Sequence, residues 1–228
     1  MILKYETILF DADGTLLDFA RSEREAVTDA LRELGVTVSD AMVDAYSEIN
    51  DSLWKRLERG EIVKSVLFYH RFELLFERFH IVGDAHDMAK RYMEKLAHKG
   101  YLMDGAEELC RRLSQSARLY IVTNGTEFIQ RGRLADSGLL PYVQDVFISD
   151  VIGYQKPRAE YFTYVAEYIS SFDPARTLIV GDSLTSDMAG GIAFGIDTCW
   201  YNPAGKSREP GYSINLEIRK LEELYHLL

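Results

Sequence analysis

Cysteine is scarce in this chain: two residues in 228, Cys110 and Cys199, far apart and in different settings. Two such cysteines make no disulfide framework and read as buried thiols of a reducing compartment. Nowhere do 18 apolar residues follow one another, so no membrane span is expected. The opening stretch MILKYETILFDADG has neither a basic start nor a small-residue cleavage site, so no secretory signal is expected and the cytoplasm is the default. Positive charge is also short. Lys+Arg number 26 against 36 Asp+Glu, a net charge of −10 with neutral histidine. That balance repels nucleic acid and acidic membrane faces unless a basic patch reverses it. The arginines of RGRLAD and CRRLSQ read instead as solvated helix faces. The five histidines, at 70, 80, 86, 98 and 226, lack zinc-ligand spacing.

What is present is an alternation of short apolar runs and helical periods. ETILFD, RLYIVTN, VFISD, TLIVGD and DTCWYN read as buried parallel strands. Helical stretches lie between them, at 126–137 before Gly138 and at 158–171. The fold class expected is α/β, a doubly wound parallel sheet covered on both faces. About a hundred residues between the first two strands differ in texture. Ala26, Val27, Ala30, Leu31 and Leu34 repeat at helical spacing before Gly35, and Val43, Tyr46, Ile49, Leu53 and Leu57 before Gly60. VLFYHRFELLFERF and DMAKRYMEKLAH add two more helices. A crossover helix needs only about a dozen residues, so an inserted α-helical domain is expected at 18–98, with the core formed by 1–17 and 99–228. The core resumes with a helix over 104–115 capped by Asp104, and Lys156 and Pro157 open the helix after the third strand. Residues 202–211 read as a loop. A last helix carries Ile218, Leu221, Leu224, Tyr225 and Leu228 toward the sheet. GGIAFG at 190–195 reads as close helix packing and not as a dinucleotide turn.

Polar residues gather at the strand ends, where ligands bind in such sheets. Asp11 and Asp13 follow the first strand, Thr123 and Asn124 the second, Asp150 the third and Asp182 the fourth. Four carboxylates at one edge need a counterion, and hard oxygen donors suit Mg²⁺. An EF-hand is the rival for DADGT, but it wants Gly sixth and Glu twelfth, where this chain has Gly fourth and Ser22 twelfth.

DADGTLLD, IVTNG, QKP and GDSLTSD, in that order at successive strand ends, resemble the four motifs of the haloacid dehalogenase (HAD) superfamily of phosphohydrolases. The resemblance implies a Rossmann-like core with a helical cap inserted after the first motif. It also implies roles. Asp11 matches the nucleophile, and Asp13 the acid that protonates the leaving oxygen and later activates water. Thr123 and Asn124, followed by Gly125, match the phosphate-binding turn, and Lys156 the cation that steadies nucleophile and phosphate. Asp11, Asp13, Asp182 and Asp187 match the residues around a Mg²⁺ ion, Asp187 as its outer partner. An aspartate at position 13 favours a phosphatase over a dehalogenase, because halide needs no proton. INDSLWKRLERGEI and HRFELLFERF, then DTCWYNP and EIRKLEELYHLL, are similar to the YjjG/YfnB-type pyrimidine 5′-nucleotidases. That implies a small phosphate ester as substrate, a nucleoside monophosphate, with Asn50, Trp54 and Arg71 as cap residues that contact it. A sugar-phosphate phosphatase or phosphomutase on the same fold is the alternative, and monomer and homodimer are both open. GDSL at 181–184 is also a serine-esterase signature with Ser183 as nucleophile, but it follows the fourth strand and His226 has no Asp three residues before it. A catalytically idle binding protein on the same fold is the other remote reading.

Overall fold

Thr7–Phe10 forms the first strand, β1, with all four residues buried, as a strand covered on both faces must be. The computed structural model describes residues 4–207 and 211–226. After β1 come four helices, α1 (Phe19–Glu33), α2 (Asp40–Glu58), α3 (Lys64–Phe79) and α4 (Ala85–Ala97). The chain continues through α5 (Ala106–Leu113), β2 (Arg118–Thr123), α6 (Glu127–Ser137), β3 (Asp145–Ile148) and a single turn, α7 (Ser149–Ile152). It ends with α8 (Ala159–Tyr168), β4 (Thr177–Gly181), α9 (Ala189–Phe194), β5 (Asp197–Tyr201) and β6 (Leu216–Ile218).

All pairings are parallel and the strand order is β3-β2-β1-β4-β5-β6. The winding runs from β1 outward to β3, then returns to β4 and runs the other way. It reverses between β1 and β4, and ligands bind at such a switch point outside the strand ends. Successive side chains of each strand point to opposite faces, which divides the core in two. Ile8, Phe10, Leu119, Ile121, Leu178 and Val180 pack with Leu109, Cys110 and Leu113 of α5. Leu9, Tyr120, Val122 and Ile179 pack with Tyr161, Phe162 and Val165 of α8. Each large apolar side chain buried this way contributes roughly 1.5–3 kcal/mol.

The chain divides into two compact units, one holding residues up to Phe19 and from Gly100 onward, the other Ala20–Lys99. The second is helical. Ser39 caps α2 by accepting from Met42 N, and Asp84 caps α4 by accepting from His86 N and Asp87 N, satisfying donors that a helix start leaves unpaired. Tyr46, Phe72 and Tyr92 pack as a ring cluster with centroids 5.2 to 5.6 Å apart.

Several local expectations are corrected. The cap of α5 is Gly105, in a left-handed conformation that Asp104 would adopt only with strain. Lys156 and Pro157 lie before the start of α8, separated from β3 by α7. The helix expected to 171 ends at Tyr168, and Ser171 takes a positive φ of 55°. Ile218 belongs to a sixth strand that pairs with β5, and Leu221 to His226 form a 3₁₀ turn, not a continuous helix. Three residues are too few to show a strand period. Leu221 and Leu224 are nevertheless buried in the core; Leu228 lies outside the described residues, as do 208–210 of the expected loop. Among the described residues no helix is long and apolar enough to cross a membrane.

Candidate active site

The strand register sets the site. Asp11 N donates to Val180 O at 2.8 Å, so the residue after β1 is tied to the end of β4. The chain then turns back on itself, with Leu16 N and Leu17 N both donating to Ala12 O. Gly14 makes the turn at φ +83°, and a Cβ there would stand 2.8 Å from Asp182 Oδ2. Glycine is needed twice over, for the conformation and for the approach. Thr15 Oγ1 lies 3.4 Å from Asp11 Oδ2.

Lys156 reaches this point from the loop before α8. Its buried Nζ donates to Asp11 Oδ1 and Asp187 Oδ1, each at 2.6 Å, and to Val122 O at 2.8 Å. Asn124 fixes the loop from below: its Oδ1 accepts from Lys156 N at 2.8 Å and its Nδ2 donates to Lys156 O at 2.9 Å. Asp187 sits on a π-helical turn, Leu184–Met188, that starts at Ser183. Such turns recur at functional sites. A Cβ at Gly181 would collide with the Asp187 carboxylate, so the glycine ending β4 is what lets that carboxylate press against the strand end. Trp200 Nε1 donates to Asp182 O at 2.9 Å.

Asp11, Asp182 and Asp187 each bring a carboxylate oxygen within 4.8 Å of the others. Burial pushes the Asp11 carboxyl well above the usual carboxylate range; Lys156 opposes this, while Asp187 and Asp182 add to it. Burial, and then Asp187, push the Asp182 carboxyl up to about 7. For Lys156 burial alone would favour the neutral amine, but Asp11 and Asp187 outweigh it and its pKa is raised. With carboxylate oxygens on two sides at 2.6 Å, the ammonium stays charged. Three carboxylates around one lysine leave an excess of buried negative charge, which is costly without a further cation. A small hard divalent ion such as Mg²⁺ fits this set of oxygen donors.

Asp13 is directed elsewhere. Its Oδ2 accepts from Gln130 Nε2 at 2.7 Å and its Oδ1 from Arg133 Nη1. Gln130 also donates to Thr123 Oγ1 at 2.7 Å, and Gly125 N donates to the same oxygen at 3.1 Å. Gln130 and Arg133 were missed in the sequence. Arg133 lies within RGRLAD, yet it is wholly buried, while Arg131 is exposed. The available signal was spacing: Gln130, Arg133, Leu134 and Ser137 share the inner face of α6 at helical intervals and are all buried.

Other expected residues lie apart from this cluster. Asp150 is exposed on α7 and accepts from Glu127 N at 3.3 Å. Ser183 Oγ accepts from Ser186 N as a helix cap and lies 3.2 Å from Thr185 Oγ1, bonds that no esterase nucleophile needs. Asn50, Trp54 and Arg71 belong to the helical unit. Asn50 Nδ2 donates to Glu23 Oε1 at 2.7 Å and its Oδ1 accepts from Arg71 Nη1 at 3.0 Å. Arg71 is buried within 6 Å of the rings of Tyr46, Phe68, Phe72 and Tyr92, and its Nη2 has no partner among the described residues. Trp54 packs, partly buried, against Leu53, Leu57 and Leu67.

A 3-2-1-4-5-6 parallel sheet with a lysine-bridged carboxylate cluster at its switch point defines a doubly wound hydrolase core of the HAD type. The haloacid dehalogenase-like hydrolase model matches residues 5–195. The HAD-hydrolase YfnB of Bacillus subtilis is 42% identical over 99% of this chain and 96% of its own. A crystal structure of that protein bound to magnesium superposes with a TM-score of 0.96 over 99% of both chains. The pyrimidine 5′-nucleotidase PynA of Streptococcus pneumoniae is 44% identical over 87% of this chain and 84% of its own. The pyrimidine 5′-nucleotidase YjjG of Escherichia coli is 31% identical over 99% of each. The chain belongs to the haloacid dehalogenase-like hydrolases, and within them it is a phosphatase, a phosphoric monoester hydrolase.

Proposed function

We propose that the chain is a Mg²⁺-dependent phosphatase that forms an aspartyl-phosphate on Asp11 and hydrolyses nucleoside 5′-monophosphates, with a preference for pyrimidine bases. The observation that carries the chemistry is the meeting of Asp11, Lys156, Asp182 and Asp187 at the β1/β4 switch point, with Asp13 beside them on separate donors. Asp11 attacks phosphorus as a carboxylate, and the bond from phosphorus to the ester oxygen breaks. Asp13 gives its proton to the departing oxygen. It then takes a proton from water, whose oxygen attacks the phosphoryl group; the bond to Asp11 breaks and phosphate leaves. Two displacements replace one harder one. Lys156 offsets charge on the phosphoryl oxygens while holding Asp11 in place. Thr123 and Gly125 line the turn that receives the phosphate, and Asn124 holds Lys156 there. Asp11, Asp182 and Asp187 would hold Mg²⁺, while the Asp13 carboxylate, expected among the metal residues, faces Gln130 and Arg133 instead; the ion would supply positive charge against the reacting oxygens.

The substrate reading rests on the two relatives named as pyrimidine 5′-nucleotidases, one of them matched from end to end. Within the helical unit, Arg71 is a cation with a donor nitrogen, Nη2, that has no partner among the described residues. We assign it to a base or ribose oxygen, with Asn50 orienting it and Trp54 supporting the helix that carries Asn50. The test is a panel of nucleoside monophosphates, sugar phosphates and an aryl phosphate, assayed with Mg²⁺ and with excess chelator. Pyrimidine nucleotides should lead the panel, chelator should stop turnover, and Asp11→Asn should be folded but inactive. Sugar phosphates preferred more than about tenfold would end the nucleotidase reading, a difference of roughly 1.4 kcal/mol in transition-state binding. Full activity in chelator or in Asp11→Asn would end the mechanism.

A further inference from the structure

Helix α6 does more than cover the sheet. Its inner face carries two polar residues with no exposure to solvent, Gln130 and Arg133, and both end on the same carboxylate, that of Asp13. The two oxygens of Asp13 are shared out, Oδ2 to Gln130 Nε2 at 2.7 Å and Oδ1 to Arg133 Nη1. Gln130 spans from Asp13 to Thr123 Oγ1, also at 2.7 Å, so one amide sets the spacing between two strand ends. Arg133 is steadied in turn: its guanidinium lies 5.5 Å over the Phe19 ring and 3.4 Å from Gln130 Oε1.

Two glycines let the chain pass close to this helix, one against the Gln130 side chain and one against the helix backbone. A Cβ at Gly125 would stand 2.5 Å from Gln130 Nε2. One at Gly100 would press on the Arg133 carbonyl and stand 2.8 Å from Ser137 N. Phe19 and Gly100 are the residues at which the core unit gives way to the helical unit and resumes. The Arg133 side chain therefore rests on the first of these junction residues, Phe19, while it grips Asp13, and the second, Gly100, passes close to its backbone. A buried arginine is expensive to keep unless its bonds serve a purpose. An aspartate has two side-chain torsions, and donors arriving at both oxygens restrain both. Proton transfer needs that restraint, because its rate falls steeply when the carboxyl is misplaced by an ångström. Asp13 still exposes 28% of its side chain, which leaves the clamped group open to a substrate.

We propose that Gln130 and Arg133 are positioning residues for the phosphatase reaction: together they clamp the Asp13 carboxylate in the place from which it exchanges protons with the leaving oxygen and with water. The proposal rests on the reading of Asp13 as the proton carrier and adds the two residues that aim it. A merely structural ion pair would lower stability when cut and would treat all substrates alike. A clamp on the proton carrier would not, since an aryl phosphate leaves without help and an alkyl phosphate does not.

The experiment compares kcat/KM for p-nitrophenyl phosphate and for a nucleoside monophosphate in Gln130→Met, Arg133→Met, Arg133→Lys and Asp13→Asn, each checked for folding by circular dichroism. The ratio kcat/KM reports only steps through departure of the leaving group, so slow hydrolysis of the phosphoenzyme does not blur it. Gln130→Met and Arg133→Met should each lower kcat/KM for the nucleotide at least about tenfold and for the aryl ester less than about threefold. Arg133→Lys should recover part of the nucleotide loss. Asp13→Asn should show the same split, and adding Arg133→Met to it should cost little more, as for residues acting through one another. Equal losses on the two substrates, or unchanged nucleotide hydrolysis, would overturn the clamp. If Arg133→Met does not fold, the near-isosteric Gln130→Met decides alone. A split in Asp13→Asn but not in the clamp variants rejects only the clamp. Its absence in Asp13→Asn rejects the proton-carrier reading and the clamp with it.

Discussion

Removing the ammonium of Lys156 should cost the folded state several kcal/mol. The group is buried, bonded to Asp11 and Asp187 at 2.6 Å each and to Val122 O at 2.8 Å. In Lys156→Met the volume is nearly kept but three buried acceptors lose their donor. Breaking a buried ion pair from one side costs about 3–5 kcal/mol, against a total stability of about 5–15 kcal/mol for a typical domain. For a chain of this size that is a fall in Tm of roughly 6–20 °C. The deficit should depend on pH in a defined direction. Asp11 already has a raised pKa, and Asp182 stands at about 7; without the lysine both rise further. A carboxyl raised in the folded state costs nothing at a pH below its unfolded value, and destabilises progressively as the pH climbs through the folded one. Urea unfolding in chelator, with unchanged m-values, should therefore show a larger difference between variant and wild type at pH 8 than at pH 5.5. Adding Mg²⁺ at pH 8 should return part of the loss, because a ligand of the native state stabilises it by mass action. A deficit below about 1 kcal/mol, or one equal at the two pH values, would refute the view of Lys156 as the counterion of a buried carboxylate cluster.

Three further outcomes follow from particular contacts. Gly181→Ala should displace Asp187, costing about 1–3 kcal/mol as overpacking does and most of the turnover; urea unfolding and a phosphate-release assay read the two separately, and an active, stable variant would contradict the contact. Arg71→Ala should raise KM for nucleotides severalfold while leaving kcat/KM for p-nitrophenyl phosphate within about twofold, as for a group that binds away from the reacting atoms; equal effects on both would make Arg71 a packing residue only. Burial pushes the thiols of Cys110 and Cys199 up to about 12, so at pH 8 only about one in 10⁴ is thiolate, and neither should take up iodoacetamide until the protein is unfolded in urea; mass spectrometry of the native protein settles it.

The strands were legible because burial on both faces demands unbroken apolar runs, and five of the six show one. β6 did not, since three residues at an edge carry no period, and its Ile218 was read into a helix that is in fact a short 3₁₀ turn. The start of α5 was misplaced by one residue because Asp104 looks like a cap, whereas the backbone needs the positive φ of Gly105. Arg133 was misread altogether. A sequence window marks arginine as solvated, and only a partner 120 positions away, Asp13, accounts for its burial.

Sequence alone determined the α/β class with its parallel sheet, since this follows from local periodicity and from short apolar stretches read in order. Tertiary structure decided what the site residues do to one another. It set Lys156 between Asp11 and Asp187, gave Asn124 to the Lys156 backbone, and turned Asp13 away from the carboxylate cluster toward Gln130 and Arg133. These pairings join positions far apart in the chain across neighbouring strands, and hydrogen-bond direction and burial, the quantities that assign them, exist only once the sheet has brought the strand ends together.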